Sequence, residues 1–189
     1  MKPAALLALC AALAVSCAHS DARAELRTLN ADILAASSAT RVLEQWCGEH
    51  HMADDPRIVA VRVTGVAKAP SADQLQRLRV HDASEVRYRR VELRCGAHVL
   101  SEADNWYVPA RLTAEMNALL ETTQTPFGKA VQSLQPYRRT IAVTQLWTPR
   151  RSLRIPKDVL QHRAVLYTRD HVPFSEVVET YQGELVAFH

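Results

Sequence analysis

The sequence predicts an α+β fold with a mostly antiparallel sheet flanked by helices. Segments of strand character cluster along the chain and do not alternate regularly with helical segments, as they would in a doubly wound sheet. The last two strand segments are separated only by a short polar turn, which favours an antiparallel hairpin. The chain has five glycines, and none are spaced as in a nucleotide-binding glycine loop, so that class of site is excluded.

The composition is that of a globular protein with one domain. Of the 189 residues, 48% are hydrophobic and 23% are charged, so extensive disorder is not expected. The net charge of +3 is small and spread along the chain. We therefore expect no nucleic-acid partner, because such partners favour concentrated positive charge.

The first 24 residues have the pattern of an export signal. Residues 4–15 form an uninterrupted apolar run, which suits a signal sequence and is short for a transmembrane helix. Two cleavage sites remain open: a lipobox-like AVSC motif, after which Cys17 would be lipidated, and an ARA pattern that ends at Ala24. The alternative is a buried N-terminal helix. We expect residues 1–24 to be the export signal and residues 25–189 to form one domain, located in the periplasm or membrane-anchored as a lipoprotein of a bacterial envelope.

Export also affects the interpretation of the remaining cysteines, Cys47 and Cys95. An oxidising compartment permits a disulfide between them. Two cysteines without C-x-x-C spacing do not form a zinc site on their own. Two free buried thiols are an equally good interpretation, because unpaired cysteines are often buried.

Helix and strand signals follow one another along the domain. Apolar residues at helical spacing predict a helical hairpin or a broken helix from Leu26 to Trp46, ended by Gly48 in a left-handed conformation. Further helices are predicted to begin near Ser71, Thr113 and Thr125. Alternating or β-branched residues predict strands over residues 58–66, 85–95, 140–147, 159–168 and 173–183, with two shorter strand pieces at 97–100 and 105–108.

The predicted strand at residues 85–95 carries arginines on both of its faces. Strict alternation puts Arg89 on the face with Val91 and Leu93, and Arg90 on the opposite face. At least one arginine then lies on an apolar face, where a guanidinium needs a carboxylate or phosphate partner. A bulge near Arg89 that returns every arginine to solvent is an equally good interpretation.

The last predicted strand carries one glutamate on each face. Glu179 shares a face with Val177 and Tyr181, and Glu176 lies on the other. A half-buried carboxylate can donate or accept a proton near neutrality. The pattern alone favours the alternative, an edge strand with solvated glutamates.

Other charged groups give weaker signals. His50 and His51 lie next to two aspartates, but adjacent histidines in a polar loop are usually solvated, so we expect no metal site. The pair Arg138 and Arg139 lacks interleaved aromatic residues and indicates solvated surface.

Three short motifs together resemble the chorismate lyase family. They are RVELRC at 90–95, YVP at 107–109 and TPFG at 125–128, and the VVETY segment at 177–181 looks like the last strand of that family. The resemblance covers residues 56–186. It implies a six-stranded antiparallel sheet flanked by helices, removal of pyruvate from chorismate to leave 4-hydroxybenzoate, and no metal or organic cofactor.

The resemblance also implies site residues. Arg90 matches the arginine that binds a substrate carboxylate, and Glu179 matches the active-site glutamate. Phe127 and Gly128 match the turn whose backbone contacts the ligand, with phenylalanine in place of leucine. Arg163 falls near a further family arginine in a loosely aligned segment. A protonated Glu179 could donate to the departing ether oxygen, while Arg90 would hold a carboxylate bidentately.

Three functions remain open from the sequence. The first is a periplasmic chorismate lyase, although chorismate is cytosolic and the usual lyases carry no signal. The second is a non-catalytic envelope module that binds a small aromatic or cyclic carboxylate, in a fold that also resembles the sensing domain of some transcription regulators. The third is an envelope protein that uses the fold only for partner contacts. We expect a monomer, anchored to a membrane if Cys17 is lipidated.

Overall fold

A six-stranded antiparallel sheet forms the centre of the protein. The computed structural model describes residues 22–148 and 154–187. The strand order is β1-β2-β3-β6-β5-β4. The strands are β1 (Ile58–Arg62), β2 (Arg87–Cys95), β3 (His98–Tyr107), β4 (Tyr137–Gln145), β5 (Asp158–Tyr167) and β6 (Pro173–Gln182). The predicted α+β class with a mostly antiparallel sheet is confirmed.

Five helices flank the sheet. They are α1 (residues 22–35), α2 (Ala39–Glu49), α3 (Ala72–Leu78), α4 (Ala114–Thr122) and α5 (Phe127–Ala130). The side chain of Ser71 caps α3 in a reciprocal capping box with Gln74, and Thr113 caps α4, as their sequence patterns predict. The helical hairpin predicted for the start of the domain is the α1–α2 pair.

The α1–α2 pair covers one face of the sheet, which we call the helix face. Leu29 and Ile33 of α1 and Leu43 of α2 are fully buried in the main apolar core. Trp46 is also buried and donates its indole N–H to the carbonyl of Leu185 at 2.9 Å. This bond satisfies the polar atom of a large buried ring, as buried tryptophans require. The helices therefore form a fixed wall opposite the sheet.

The opposite face of the sheet, which we call the outer face, is partly covered by α3. Leu78 and Val80 pack there against Trp106, Val108 and Val178 in a smaller apolar cluster. Strand β6, in the middle of the sheet, consequently has buried residues on both faces. This explains why the sequence of β6 shows no clear alternation of polar and apolar residues.

A disulfide joins α2 to β2. Cys47 lies near the end of the helix and Cys95 at the end of the strand, and both are fully buried. Their Cα atoms are 6.5 Å apart, within the range of protein disulfides. The structure thus has the bridged form of the two that the sequence left open.

The predicted export signal lies mostly in residues 1–21, outside the described residues, and so does Cys17. Helix α1 crosses the predicted domain boundary at Ala24, and Ala22 is buried in the main core. Within residues 22–148 and 154–187, no helix has the length and hydrophobicity of a membrane span.

Three local predictions were wrong. Gly48 does not end α2; the helix continues through Glu49, and the left-handed residue that follows is His51 (φ 50°). The strand pieces at 97–100 and 105–108 are one continuous strand, β3, because the polar residues between them pair with charged residues of β2. Strand β4 begins at Tyr137, three residues earlier than predicted.

Candidate functional site

A cavity of about 500 Å³ lies between the helix face of the sheet and the first turns of α2 and α5. Strands β2 to β6 supply a floor of five apolar residues and four polar or charged ones, and helix residues supply a mostly polar rim. The size suits a small organic molecule. The lining residues are Ser37, Ser38, Ala39, Thr40, Arg41, Glu44, Arg89, Val91, Leu93, Ala103, Asn105, Phe127, Gly128, Lys129, Gln132, Gln135, Pro136, Arg138, Leu166, Val177 and Glu179.

Arg89 is a buried cation that has no carboxylate partner in residues 22–148 and 154–187. It is 3% exposed and lines the cavity from β2. Its Nη2 donates to the carbonyl of Thr125 at 3.3 Å, and its buried Nε has no hydrogen-bond partner among the described residues. Burial, reinforced by nearby Arg62, lowers the pKa of Arg89 to about 10, so the group stays charged at neutral pH. A buried charge of this kind requires an anion for compensation.

Arg90 lies on the outer face, and its predicted role in the site is therefore wrong. Its guanidinium pairs with Glu102 and, at 3.4 Å, with Asp104, both on β3. The reason is the two-residue period of a strand, which directs neighbouring side chains to opposite faces. The alternation in the sequence placed Arg89 correctly with Val91 and Leu93, whereas the family resemblance pointed one residue too far.

Glu179 lies in the cavity and belongs to a buried hydrogen-bonded group. Its Oε2 accepts from Nη1 of Arg138 at 2.6 Å and from the hydroxyl of Tyr181 at 3.0 Å. Burial raises the pKa of the Tyr181 hydroxyl well above its usual value, so the hydroxyl remains a donor. Both neighbours donate to the same carboxyl oxygen of Glu179 and so hold its side chain in one position at the cavity.

Arg138 is the site residue that the sequence analysis missed. Its side chain is only 4% exposed, and its Nε and Nη2 atoms have no partner among the described residues. Burial lowers the pKa of its guanidinium, but Glu179 and Tyr181 outweigh this effect and the pKa is raised overall. The predicted strand began at Thr140, so Arg138 was assigned to solvated surface. A strand that began at Tyr137 would have put Arg138 on the same face as Thr140, but two polar residues on one face would not have indicated burial.

The turn at Phe127 and Gly128 lies at the cavity, as the resemblance implied. The Phe127 ring lies 5.6 Å from that of Tyr107 and 6.2 Å from that of Phe174, which fixes the turn on the sheet. A Cβ atom on Gly128 would lie 3.0 Å from the hydroxyl oxygen of Ser38. Glycine thus permits the close approach of α5 to the start of α2.

Arg163 lies on the outer face, away from the cavity. It is largely exposed, and its Nη1 is 3.8 Å from Glu176. Glu176 is fully buried and makes a two-pronged ion pair with Arg77 of α3, at 2.7 and 3.0 Å. The ligand role predicted for Arg163 is therefore wrong. Neither glutamate of β6 is solvated, because this strand lies inside the sheet and not at its edge.

His162 lies beneath the cavity, next to the Glu179 group. Its Nε2 is 2.8 Å from Oδ1 of Asn30 on α1, which makes Nε2 the protonated nitrogen, and its ring meets that of Tyr181 edge-on. Burial, with a smaller contribution from the positive charge of Arg138, lowers the pKa of His162 from 6.5 to about 4. Apart from its place in a predicted strand, no pattern in the sequence marked His162 as part of the site.

The charges around the cavity do not balance. Lys129 pairs with Glu44 at 2.5 Å, and Arg138 pairs with Glu179. Arg41 also lines the cavity but is exposed, whereas the buried Arg89 has no carboxylate partner among the described residues. The residues described by the structure contain no cluster of three or more histidine, cysteine, aspartate or glutamate residues that could hold a metal ion. The arrangement can therefore bind a small anion with an apolar body.

Comparison with known proteins gives a relative in sequence. The chain is 42% identical over 184 residues to the uncharacterized protein y4mC of Sinorhizobium fredii (strain NBRC 101917 / NGR234). The match covers 89% of this chain and 78% of that protein. No family model matches the chain.

Several solved structures are similar to this chain in fold. PhnF from Mycobacterium smegmatis has a TM-score of 0.51 at 14% identity, over 80% of this chain and 66% of that chain. The effector domain of PhnF has a TM-score of 0.50 at 14% identity, over 78% of this chain and 90% of that chain. The ligand-binding domain of a putative GntR-family regulator from Bordetella bronchiseptica has a TM-score of 0.44 at 18% identity, over 66% of this chain and 82% of that chain. The PhnF likenesses support the chorismate-lyase-like fold that the sequence motifs implied.

Proposed function

The chain belongs to the same family as the uncharacterized protein y4mC of Sinorhizobium fredii, and we propose from its site that it binds a small carboxylate with a cyclic or aromatic body. The observation that carries this proposal is the buried guanidinium of Arg89, which lines the cavity without a carboxylate partner. The fold it shares with the effector domain of PhnF accords with a ligand-binding role.

The free energy of burying Arg89 argues for an anion. A buried charge is costly unless it is paired, and an arginine holds a carboxylate with two parallel hydrogen bonds. Arg138 cannot provide the same anchor, because Glu179 already neutralises it. The ligand carboxylate therefore sits against Arg89.

The body of the ligand faces an apolar floor. Val91 and Leu93 of β2, Leu166 of β5 and Val177 of β6 line the cavity beside the Phe127 ring. A flat or cyclic apolar body removes this surface from water, which stabilises the complex by roughly 25 cal/mol per Å² of apolar surface buried. Polar groups on the ligand would face the rim, where Ser38 and other polar side chains lie.

The test compares carboxylates with their neutral amides. Binding of 4-hydroxybenzoate and of a panel of related ring carboxylates is measured by calorimetry, with 4-hydroxybenzamide and the matching amides as controls for charge. We expect carboxylates to bind and amides not to bind. Arg89→Gln should weaken binding by about tenfold to a hundredfold, since a hydrogen bond to a charged group contributes about 1.5–3 kcal/mol.

Arg90→Gln is the matched control, because it removes the same charge one residue away on the outer face. It should leave affinity unchanged. Equal binding of amides and carboxylates, loss of binding in Arg90→Gln but not in Arg89→Gln, or no binding across the whole panel would each reject the proposal.

Chorismate lyase activity is the second candidate, because Arg89 and Glu179 line the same cavity. Glu179 accepts hydrogen bonds from both Arg138 and Tyr181, which hold its carboxyl group in place beside a bound ligand. The measurement is 4-hydroxybenzoate formed from chorismate above the spontaneous background. If Glu179 takes part, Glu179→Gln should lower turnover by about a hundredfold and largely keep binding. Binding of carboxylates without turnover would leave the binding function and remove the lyase.

A further inference from the structure

Strand β4 is exposed on both faces from Ile141 to Gln145, and no described strand pairs with its free edge. It is the last strand in the sheet order and pairs with β5 on one side only. Every residue from 141 to 146 is exposed. Among them are three large apolar side chains: Ile141 at 39%, Val143 at 44% and Leu146 at 44%. An apolar edge of this length is a template for pairing with another chain.

The β4 edge lacks the usual protection against such pairing. Residues 140–147 contain no charged residue, no proline and no glycine, and a bulge at Ile141 is followed by regular pairing with β5. The opposite edge, β1, has five residues, ends at Arg62 and is partly occupied, because its Ala60 N–H donates to the carbonyl of Gln124 at 2.8 Å. The two edges of the sheet therefore differ. In the described part of the chain, β4 is the edge that is available for pairing with another strand.

We propose that β4 pairs antiparallel with β4 of a second copy of this chain and so joins the two six-stranded sheets into one. An antiparallel pair about a two-fold axis uses the same surface on both copies, which is the commonest way that identical chains associate. The inference rests on the sheet edge alone and does not depend on a ligand in the cavity.

The charges of β4 favour a second copy in this orientation. Arg139 lies near the start of strand β4. The rest of the strand, from Thr140 to Gln145, carries no charge. Arg138 points into the cavity and is neutralised by Glu179. With the two-fold axis near Ala142, Arg139 of each copy lies opposite the uncharged end of the other, and Ile141 lies opposite Val143. In a parallel pairing, Arg139 of one chain would instead lie beside Arg139 of the other, and the two positive charges would repel each other.

The experiment measures the molar mass of the purified protein over a range of concentrations by light scattering and sedimentation. We expect a dimer. Val143→Glu and Val143→Lys should each give a monomer, because each puts like charges on facing strands, with a dissociation constant raised by about tenfold or more. An equimolar mixture of the two variants should restore the dimer, since unlike charges then meet across the axis.

Val59→Glu on β1 is the matched control, because it places the same charge on an exposed valine of the opposite edge. It should remain a dimer. Circular dichroism of each variant verifies the fold, and Ile141→Glu, at the exposed residue opposite Val143, replaces Val143→Glu if the latter unfolds. A monomeric wild type, a mixture that stays monomeric, or a dimer broken by Val59→Glu and not by the β4 variants would overturn the proposal. A wild-type monomer whose β4 binds a different protein would overturn it as well.

Discussion

At the scale of single residues, the cavity floor rests on a buried polar group that spans three strands and one helix. Arg138 of β4, Glu179 and Tyr181 of β6, and His162 of β5 lie side by side, and Asn30 of α1 meets His162 from above. Such groups are costly to leave partly satisfied and therefore fix one arrangement of their neighbours. In the described part of the chain, two buried nitrogens of Arg138 and one of His162 have no partner, so this group is also a place where stability is sensitive to protonation.

The first prediction at this scale concerns pH. The unfolded chain protonates His162 near pH 6.5, whereas the folded protein resists protonation down to about pH 4 because the ring is buried beside Arg138. Between these values the unfolded state binds more protons, so acidification favours unfolding. The free energy of unfolding should fall as the pH is lowered from about 6.5 toward 4. The contribution of His162 is at most about 1.4 kcal/mol per pH unit.

Urea unfolding at a series of pH values measures this effect. His162→Gln should lower stability at neutral pH and flatten the pH dependence between pH 6.5 and 4. His81→Gln, at an exposed histidine, should leave the pH dependence unchanged. A pH dependence that is the same in wild type and His162→Gln would show that the buried ring does not control acid stability.

The site residues show how far sequence reasoning reaches at this scale. Alternation along β2 indicated that an arginine shares a face with Val91 and Leu93, and the structure puts Arg89 there. Glu179 was found because its face is otherwise apolar. Arg138 was not found, because its burial depends on where β4 begins and on a partner 41 residues away. Distant pairing of this kind leaves no local pattern in a single sequence.

At the scale of elements, the disulfide joins the two walls of the cavity. Helix α2 supplies Ser38 and Thr40 to the rim, and β2 supplies Arg89 to the floor. The bridge between Cys47 and Cys95 ties the far ends of these same elements. Because α2 contacts the sheet chiefly through its apolar side chains, a covalent link at its end limits how far the helix can move from the cavity.

The second prediction is that loss of this bridge lowers stability. A bridge across a separation of 48 residues restricts the unfolded chain, and its removal should lower the free energy of unfolding by about 2–4 kcal/mol. The double variant Cys47→Ala, Cys95→Ala should show this loss, and the wild type should show it only after reduction. Carboxylate binding should weaken in parallel if α2 moves away from the cavity.

Two further measurements test this prediction. The double variant should be insensitive to reductant, which separates loss of the bridge from other effects of reduction. Thiol titration of the unreduced protein should find no free sulfhydryl at these positions. Two free thiols would mean that the cysteines are simply buried, the alternative that their sequence left open.

Elements were easier to predict than their ends. The α1–α2 pair, the capped helices α3 and α4, and the β5–β6 hairpin each depend on contacts close in sequence, and they appear where their patterns indicated. Strand β3 was divided in the prediction because Glu102 and Asp104 resemble turn residues. Both pair with Arg90 across the sheet, so a contact between strands holds the polar segment extended. Local propensity does not contain this information.

At the scale of the whole molecule, the disulfide and the predicted signal agree with one another. A bridge between buried cysteines persists in an oxidising compartment, which is where an export signal would deliver the chain. We therefore keep export as a proposal. The position of α1 bears on how the signal is removed, because the described helix already includes residues 22–24 and buries Ala22 in the core.

The third prediction is that cleavage occurs before Cys17 and not after Ala24. Cleavage after Ala24 would remove Ala22 from the core and leave a positively charged amino group in the first turn of α1, where the helix dipole disfavours a cation. Cleavage before Cys17 keeps residues 22–35 of α1 intact and leaves Cys17 as the first residue, available for lipidation. The intact mass of protein purified from the membrane fraction of a bacterial host should correspond to residues 17–189 with attached lipid, and Cys17→Ser should release the protein from that fraction. A mature chain that begins at Glu25 would instead show that α1 tolerates the loss of its first turn, and it would remove the lipid anchor from the proposal.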